Sequence, residues 1–254
     1  KYFFENRSKV NYNEIPENLI NAFISTEDVR FRNHSGIDGR ALLRAIYGAL
    51  TGKSSSGGAS TITQQLSKML FTDKPSSGVE RVMQKLKEWI ISGQLEKRYT
   101  KDEILTMYLN RFDWVNNAVG IKSASQVYFN KAPIDLNILE SAMLVGMLKN
   151  PSYYNPNRRI ALTERRRNIV LSQMKKYEVI SDSLYDTLVQ QPIILNFKKA
   201  SHNEGLAPYF REYFRGELKK WCSTHTKPDG TNYNAYTDGL KVYTTINSRL
   251  QQFA

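Results

Sequence analysis

The sequence predicts a mainly α-helical domain followed by a small α/β segment. Apolar residues recur at helical spacing from about Pro16 to Gln190, and helix-start signals recur along the same stretch. Strand-like alternation comes late, at Leu240, Val242, Thr244 and Ile246. Pro16 suits a first helical turn, and Leu19, Ile20, Phe23 and Ile24 follow at helical spacing. Asp38 opens a second amphipathic stretch through Leu42, Leu43, Ile46 and Tyr47 to Leu50. A Gly/Ser loop, Gly52 to Ala59, leads into a helix capped by Ser60, with Ile62, Leu66, Met69 and Leu70 on one face. After Pro75-Ser76-Ser77-Gly78, a long helix carries Val79, Val82, Met83, Leu86, Trp89 and Ile90 as its apolar stripe. Thr100-Lys101-Asp102-Glu103 is a capping box opening the helix of Ile104, Leu105, Tyr108 and Leu109. Ile138 to Leu148 is nearly all apolar and stops at Asn150-Pro151, which reads as the central buried helix. A basic helix covers about Leu162 to Tyr177.

After Gln190-Gln191-Pro192 the character changes. Pro208 to Trp221 reads as one more helix, and His225 to Asp238 as loop. The alternating run follows, and a new element begins at Ser248. The expected organisation is one helical domain over residues 1–195 and, over 196–254, a linker leading into a further domain. The chain starts at Lys1 without an initiator Met, so it reads as a piece excised from behind a signal or anchor.

Lys and Arg number 36 against 24 Asp and Glu, a net charge of +12. That balance favours a polyanionic partner: nucleic acid, an anionic membrane or a phosphate-bearing substrate. Fifteen Tyr and 11 Phe in a chain that is 41% hydrophobic exclude a disordered polyelectrolyte. The single Cys222 excludes an internal disulfide and a cysteine metal cage, and His34, His202 and His225 lie too far apart in sequence to suggest a zinc enzyme. No apolar run approaches the ~20 residues that span a bilayer. Arg165-Arg166-Arg167 and Lys175-Lys176 form a basic face, yet no nucleic-acid recognition motif accompanies them.

Several residues suggest chemistry. Glu27-Asp28 places two carboxylates at a helix C-terminus, the negative end of the dipole, where they cost stability; an acidic solvated turn is the plain alternative. Gly57-Gly58-Ala59-Ser60-Thr61 puts a flexible loop before a helix start, where free N–H groups suit phosphate. Gly52-Lys53-Ser54 is not a nucleotide P-loop, because Gly48 is one position too close and a helix precedes it. Gln65 and Lys68 share a helix face, as do Gln84, Lys85 and Glu88 opposite the Val82/Leu86/Trp89 stripe. Taken alone each set reads as a solvated polar face. Their order along the chain suits a base followed by a stabilised pyrophosphate leaving group.

These residues fall into a known pattern. Glu27-Asp28-Val29-Arg30-Phe31-Arg32-Asn33-His34-Ser35-Gly36 resembles the first motif, E-D-x-x-F-x-x-H-x-G, of the peptidoglycan glycosyltransferases, glycosyltransferase family 51. Gly58-Ala59-Ser60-Thr61-Ile62-Thr63-Gln64-Gln65 is similar to the second, with Ala59 for a glycine. Lys85-Leu86-Lys87-Glu88 resembles the end of the third, with Gln84 where Arg is usual. Lys101-Asp102-Glu103-Ile104-Leu105 with Tyr108-Leu109-Asn110 matches the fourth, and Arg166-Arg167-Asn168-Ile169-Val170-Leu171 the fifth. The tail, Ala207-Pro208-Tyr209-Phe210 through Thr245-Ile246 and Leu250-Gln251-Gln252, resembles the linker of bifunctional class A penicillin-binding proteins; no transpeptidase S-x-x-K followed by K-T-G occurs.

The resemblance implies a lysozyme-like helical fold with a membrane-facing jaw. It also implies polymerisation of lipid II into glycan strands outside the bacterial cytoplasmic membrane, one N-terminal anchor, and inhibition by moenomycin. Cell-wall synthesis proteins are implied as partners; nucleic acid is not. Carried over, Glu27 is the base and Glu88 the second catalytic carboxylate. Lys68, Lys85 and Gln65 line the pyrophosphate side, Asp28 and Ser60 support the cleft, and Arg81 stands in for the cation that Gln84 removes. His34, Thr61, Gln64, Asn110 and Arg167 complete the substrate-binding set. No cofactor is fixed by the sequence; a Mg or Mn ion at the pyrophosphate stays open. The rival reading is a lysozyme-like hydrolase or lytic transglycosylase acting on the same polymer. The stretch Arg40 to Leu50 combines apolar bulk with cations, too short to span. It suits either the headgroup region or a core face against Phe23 and Ile24, and the resemblance favours the membrane.

Overall fold

The computed structural model describes residues 6–7, 9–51, 60–71, 77–198, 207–236, 238–247 and 249–250. Among them, strand is confined to two-residue pieces at Asn6–Arg7 and Ala118–Val119, so the fold is mainly α. The loop at 52–59 lies outside the described residues. The chain divides into two compact units, Arg7–Lys198 and a second of Lys1–Asn6 with Lys199–Ala254.

The larger unit is built around α7 (Ile138–Met147), in which every residue from Ser141 to Met147 is buried. Asn137 and Glu140 start it with a capping box. It packs between α1 (Glu17–Glu27) and α8 (Pro156–Lys176, broken at Arg159), which also touch each other. Gly146 permits the close α7–α8 approach: a Cβ there would lie 3.2 Å from the Arg166 Cγ. Buried Trp114 donates its indole N–H to the Leu144 carbonyl at 3.0 Å, which satisfies its polar edge inside the core.

The remaining helices surround this centre. α2 (Gly39–Leu50) is capped by Asp38, which accepts from the Ala41 N–H. α3 (Ile62–Phe71) packs on α4 (Gly78–Arg98) and on α5 (Lys101–Arg111), which begins at the Thr100–Glu103 capping box. α6 (Ile121–Phe129) is mostly buried, and α9 (Asp182–Leu188) packs on α8.

α4 turns its apolar stripe outward. Val79, Val82, Met83, Leu86 and Ile90 are exposed, Val79 at 77% and Ile90 at 64%, while Glu88, Ser92 and Leu95 are buried. Polar contacts fix this phase: the Ser92 hydroxyl meets that of Ser67 on α3 at 2.9 Å and donates to the Glu88 carbonyl. On α2, Leu43 and Tyr47 are each 68% exposed, so these two do not pack in the core.

In the smaller unit, α10 (Pro208–Thr224) stacks Phe210 on Phe214 and Trp221 on His225. A single bridge pairs Thr226 with Asn232. The alternating run from Leu240 to Ile246 forms no strand, which corrects the α/β expectation for this segment. Alternation specifies two faces, but a strand also needs a neighbour to complete its hydrogen-bond ladder, and none pairs with it among the described residues.

Candidate active site

α1 ends at Glu27, and Asp28 closes it by donating its N–H to the Ile24 carbonyl. The buried Asp28 carboxylate accepts from the Ile62 N–H at the start of α3 (3.1 Å) and from His34 Nε2 at 2.9 and 3.1 Å. The unfavourable helix-end carboxylate is thus matched by the positive end of another helix. The Gly36 N–H donates to His34 Nδ1 at 3.2 Å, which leaves the ring proton on Nε2, facing Asp28. Gly36 itself has φ +91°, and a Cβ on it would sit 2.9 Å from the Ser92 carbonyl oxygen of α4, so only glycine fits. Its own carbonyl accepts from the Thr61 hydroxyl at 2.6 Å. One turn therefore fastens α1, α3 and α4 together.

Glu27 projects into the cleft that these helices enclose. Its Oε2 accepts from Gln65 Nε2 at 2.9 Å, and the Gln65 Oε1 accepts from the Tyr108 hydroxyl at 2.9 Å. Burial, with the nearby Glu27 charge adding to it, pushes the Tyr108 pKa far above its ordinary value, so the phenol stays protonated.

The cleft has a volume of about 1460 Å³. Lys85 crosses one wall, donating to Ser60 Oγ at 2.9 Å and to Glu88 Oε2 at 2.8 Å; Glu88 is buried. Lys68, Arg81 and Gln84 line the same cleft. Among the described residues, eight Lys or Arg side chains line it against four Asp or Glu, so the cleft favours a polyanion. Thr26 Oγ1, Gln64 Oε1 and Gln84 Nε2, on residues lining the cleft, are buried without a hydrogen-bond partner among the described residues. Arg30 pairs with Asp38, the cap of α2, and this contact holds the Asp38 carboxyl below the usual carboxylate range.

Ten of the thirteen carried-over positions line this cleft: Glu27, Asp28, Ser60, Thr61, Gln64, Gln65, Lys68, Arg81, Lys85 and Glu88. The other three lie elsewhere. His34 is buried behind Asp28 and reaches the cleft only through it. Asn110 exchanges two 2.9 Å hydrogen bonds with the Val10 backbone, pinning that segment to α5. Arg167 is 1% exposed, bonds to Asn168 Oδ1, and lines a separate cavity of about 320 Å³. Burial lowers its pKa. Its neighbour Arg166 lines the cleft instead, donating to the Gly146 carbonyl and lying over the Tyr154 ring. Arg167 belongs with Val170, Leu171 and Met174 on the buried stripe of α8, a helical spacing that the sequence already displays. Arg30, Tyr108, Lys149 and Lys176 are cleft residues that the sequence reading did not select.

The transglycosylase family model matches residues 2–175, the span that holds every element of this cleft except the last residues of α8 and Tyr177 beyond it. The chain belongs to the transglycosylase family. It is 36% identical to penicillin-binding protein 1A of Streptococcus oralis over 248 residues, covering 98% of this chain and 38% of that protein. It is 36% identical to penicillin-binding protein 1A of Escherichia coli (strain K12) over 254 residues, covering 100% of this chain and 28% of that one. The solved penicillin-binding protein 1A of Haemophilus influenzae overlays with a TM-score of 0.49 at 25% identity, over 99% of this chain and 26% of that one; the assignment rests on the family match and not on this overlay. The transglycosylase thus spans well under half the length of these relatives. Its likeness to these proteins is that of a transglycosylase domain to one part of a longer chain.

Proposed function

We propose that this transglycosylase polymerises lipid II by inverting transfer, with Glu27 as the general base. The 4-hydroxyl of the acceptor GlcNAc loses its proton to the Glu27 carboxylate while its oxygen bonds to C1 of the donor MurNAc. The C1–O bond to undecaprenyl pyrophosphate breaks, and the pyrophosphate departs with the electron pair. Gln65 holds the carboxylate by its 2.9 Å bond, leaving the other oxygen for the acceptor. Lys85, fixed between Ser60 and Glu88, and Lys68 and Arg81 on the same cleft offset the charge that develops on the leaving group. The carrying observation is the charge of the cleft, eight cations to four anions around one base. A hydrolase acting on finished glycan has no diphosphate to match them.

A Mg or Mn ion at the pyrophosphate would be held chiefly by water and substrate phosphate, with one or two carboxylates at most. Among the described residues no group of three His, Cys, Asp or Glu could hold one, and the Glu88 carboxylate is already engaged by Lys85.

The exposed apolar residues of α2 and α4 support a membrane-facing jaw, working at the extracytoplasmic face of the bacterial membrane, where the lipid tail of the substrate stays in the bilayer. No described helix is long and apolar enough to cross a membrane; a single N-terminal anchor in the longer protein belongs to the same reading, as does a linker role for residues 196–254. Moenomycin, which also presents phosphate, would bind the cationic side.

The purified chain with lipid II, and separately with preformed glycan, decides between the readings. Polymer from lipid II with glycan left intact is the expected result. Glycan fragments without polymer would establish the hydrolase or lytic transglycosylase.

A further inference from the structure

The hydrogen-bond chain behind Glu27 runs one residue further than the reaction described above requires. Glu27 Oε2, Gln65 and the Tyr108 hydroxyl are joined by two contacts of 2.9 Å each. A carboxylate accepts and never donates, so Gln65 must present its NH₂ end to Glu27. A free amide in a cleft can rotate by half a turn, and the flipped form would set its oxygen against the carboxylate. The protonated phenol on the other side adds to the preference, because its O–H donates to the amide oxygen at 2.9 Å and the flipped form would give up that bond. Tyr108 is 1% exposed and fixed by ring contacts with Phe23 at 4.7 Å and Phe112 at 5.9 Å.

We propose that Tyr108 is a positioning residue for the base: its hydroxyl helps hold the Gln65 amide in the orientation that donates to Glu27. The proposal rests on Glu27 being the base. Tyr108 touches neither the acceptor oxygen nor the leaving group in this scheme; it sets the direction of the carboxylate through Gln65. Among the described residues, these two bonds hold the half-buried Gln65 amide.

The test is lipid II polymerisation by Tyr108→Phe, Gln65→Ala, the double variant and Glu27→Gln, each with its melting temperature. Tyr108→Phe should lower kcat roughly 10-fold, the worth of about one hydrogen bond, with KM and melting temperature little changed. In the Gln65→Ala background the same substitution should cost nothing further, because no amide remains to orient. Replacing Tyr108 by p-aminophenylalanine, which keeps an N–H donor in place of the O–H, should recover turnover to within a few-fold of wild type. Wild-type turnover in Tyr108→Phe overturns the proposal, as does an undiminished loss on top of Gln65→Ala or a failure of the amino analogue to rescue. Should Tyr108→Phe not fold, Gln65→Ala still decides, since wild-type turnover there removes the relay. Glu27→Gln separates the two layers: full turnover in it defeats the base assignment, whereas a dead Glu27→Gln beside an unaffected Tyr108→Phe defeats only the positioning role.

Discussion

Adjacent carboxylates at the end of α1 have opposite surroundings. Asp28 is buried and bonded to His34 and the start of α3, whereas Glu27 is half-buried with one oxygen held by Gln65. A group whose oxygens are all occupied supports; one with an oxygen left toward the cleft can take a proton. Lys85→Ala would remove the ion-pair partner of buried Glu88 and a preorganised charge stabiliser, and Lys68→Ala would remove a second one. Each should slow polymerisation on the order of 10²–10³-fold and weaken moenomycin, read by inhibitor titration; unchanged affinity in both would remove them from the phosphate side. Arg166 and Arg167 provide a matched contrast. Arg166→Ala should reduce turnover, because this side chain lines the cleft. Arg167→Met should keep turnover within a few-fold, because this side chain does not line the cleft, while the melting temperature reads what its two bonds to Asn168 contribute. At this scale the motifs made most cleft residues legible in the sequence. What they did not supply was rotation: three consecutive arginines point in three directions, and only the burial of Val170, Leu171 and Met174 tells which faces the core.

At the scale of elements, capping chemistry was the most readable signal. The Thr100–Glu103 box starts α5, and the apolar run from Ile138 is the buried α7. α6 carried no such signal, since it begins at Gly120 with φ +84° and no side-chain cap. α4 shows why a helical stripe is ambiguous: the pattern separates two faces without saying which is inside. Here hydrogen bonds from Ser92 and the Lys85–Glu88 pair hold the polar face inward. The outward stripe therefore contributes little to folding. Val82→Ser with Ile90→Ser should leave the melting temperature within a few degrees while reducing binding to anionic lipid vesicles and lipid II turnover. A large fall in melting temperature with vesicle binding intact would assign the stripe to the core.

The whole molecule carries a net charge of +12 and gathers eight cations in one cleft. Attraction to an anionic surface follows, at roughly 1 kcal/mol per Lys or Arg close to the headgroups. Added salt shortens the Debye length from about 10 Å at 0.1 M to about 3 Å at 1 M. Vesicle sedimentation should therefore show binding that weakens steeply with salt but does not vanish, because the apolar residues of α2 and α4 are not screened. Binding that is independent of salt would contradict the electrostatic part.

All these elements converge on one carboxylate, so the most direct measurement is the release of undecaprenyl pyrophosphate from lipid II by wild type and Glu27→Gln under single-turnover conditions. Glutamine keeps the size and can still hydrogen-bond, but it cannot accept the proton. The expected result is a fall of roughly 10²–10⁴ in rate, the usual worth of a general base, with lipid II still bound. Release at the wild-type rate would show that Glu27 is not the base and would contradict the account.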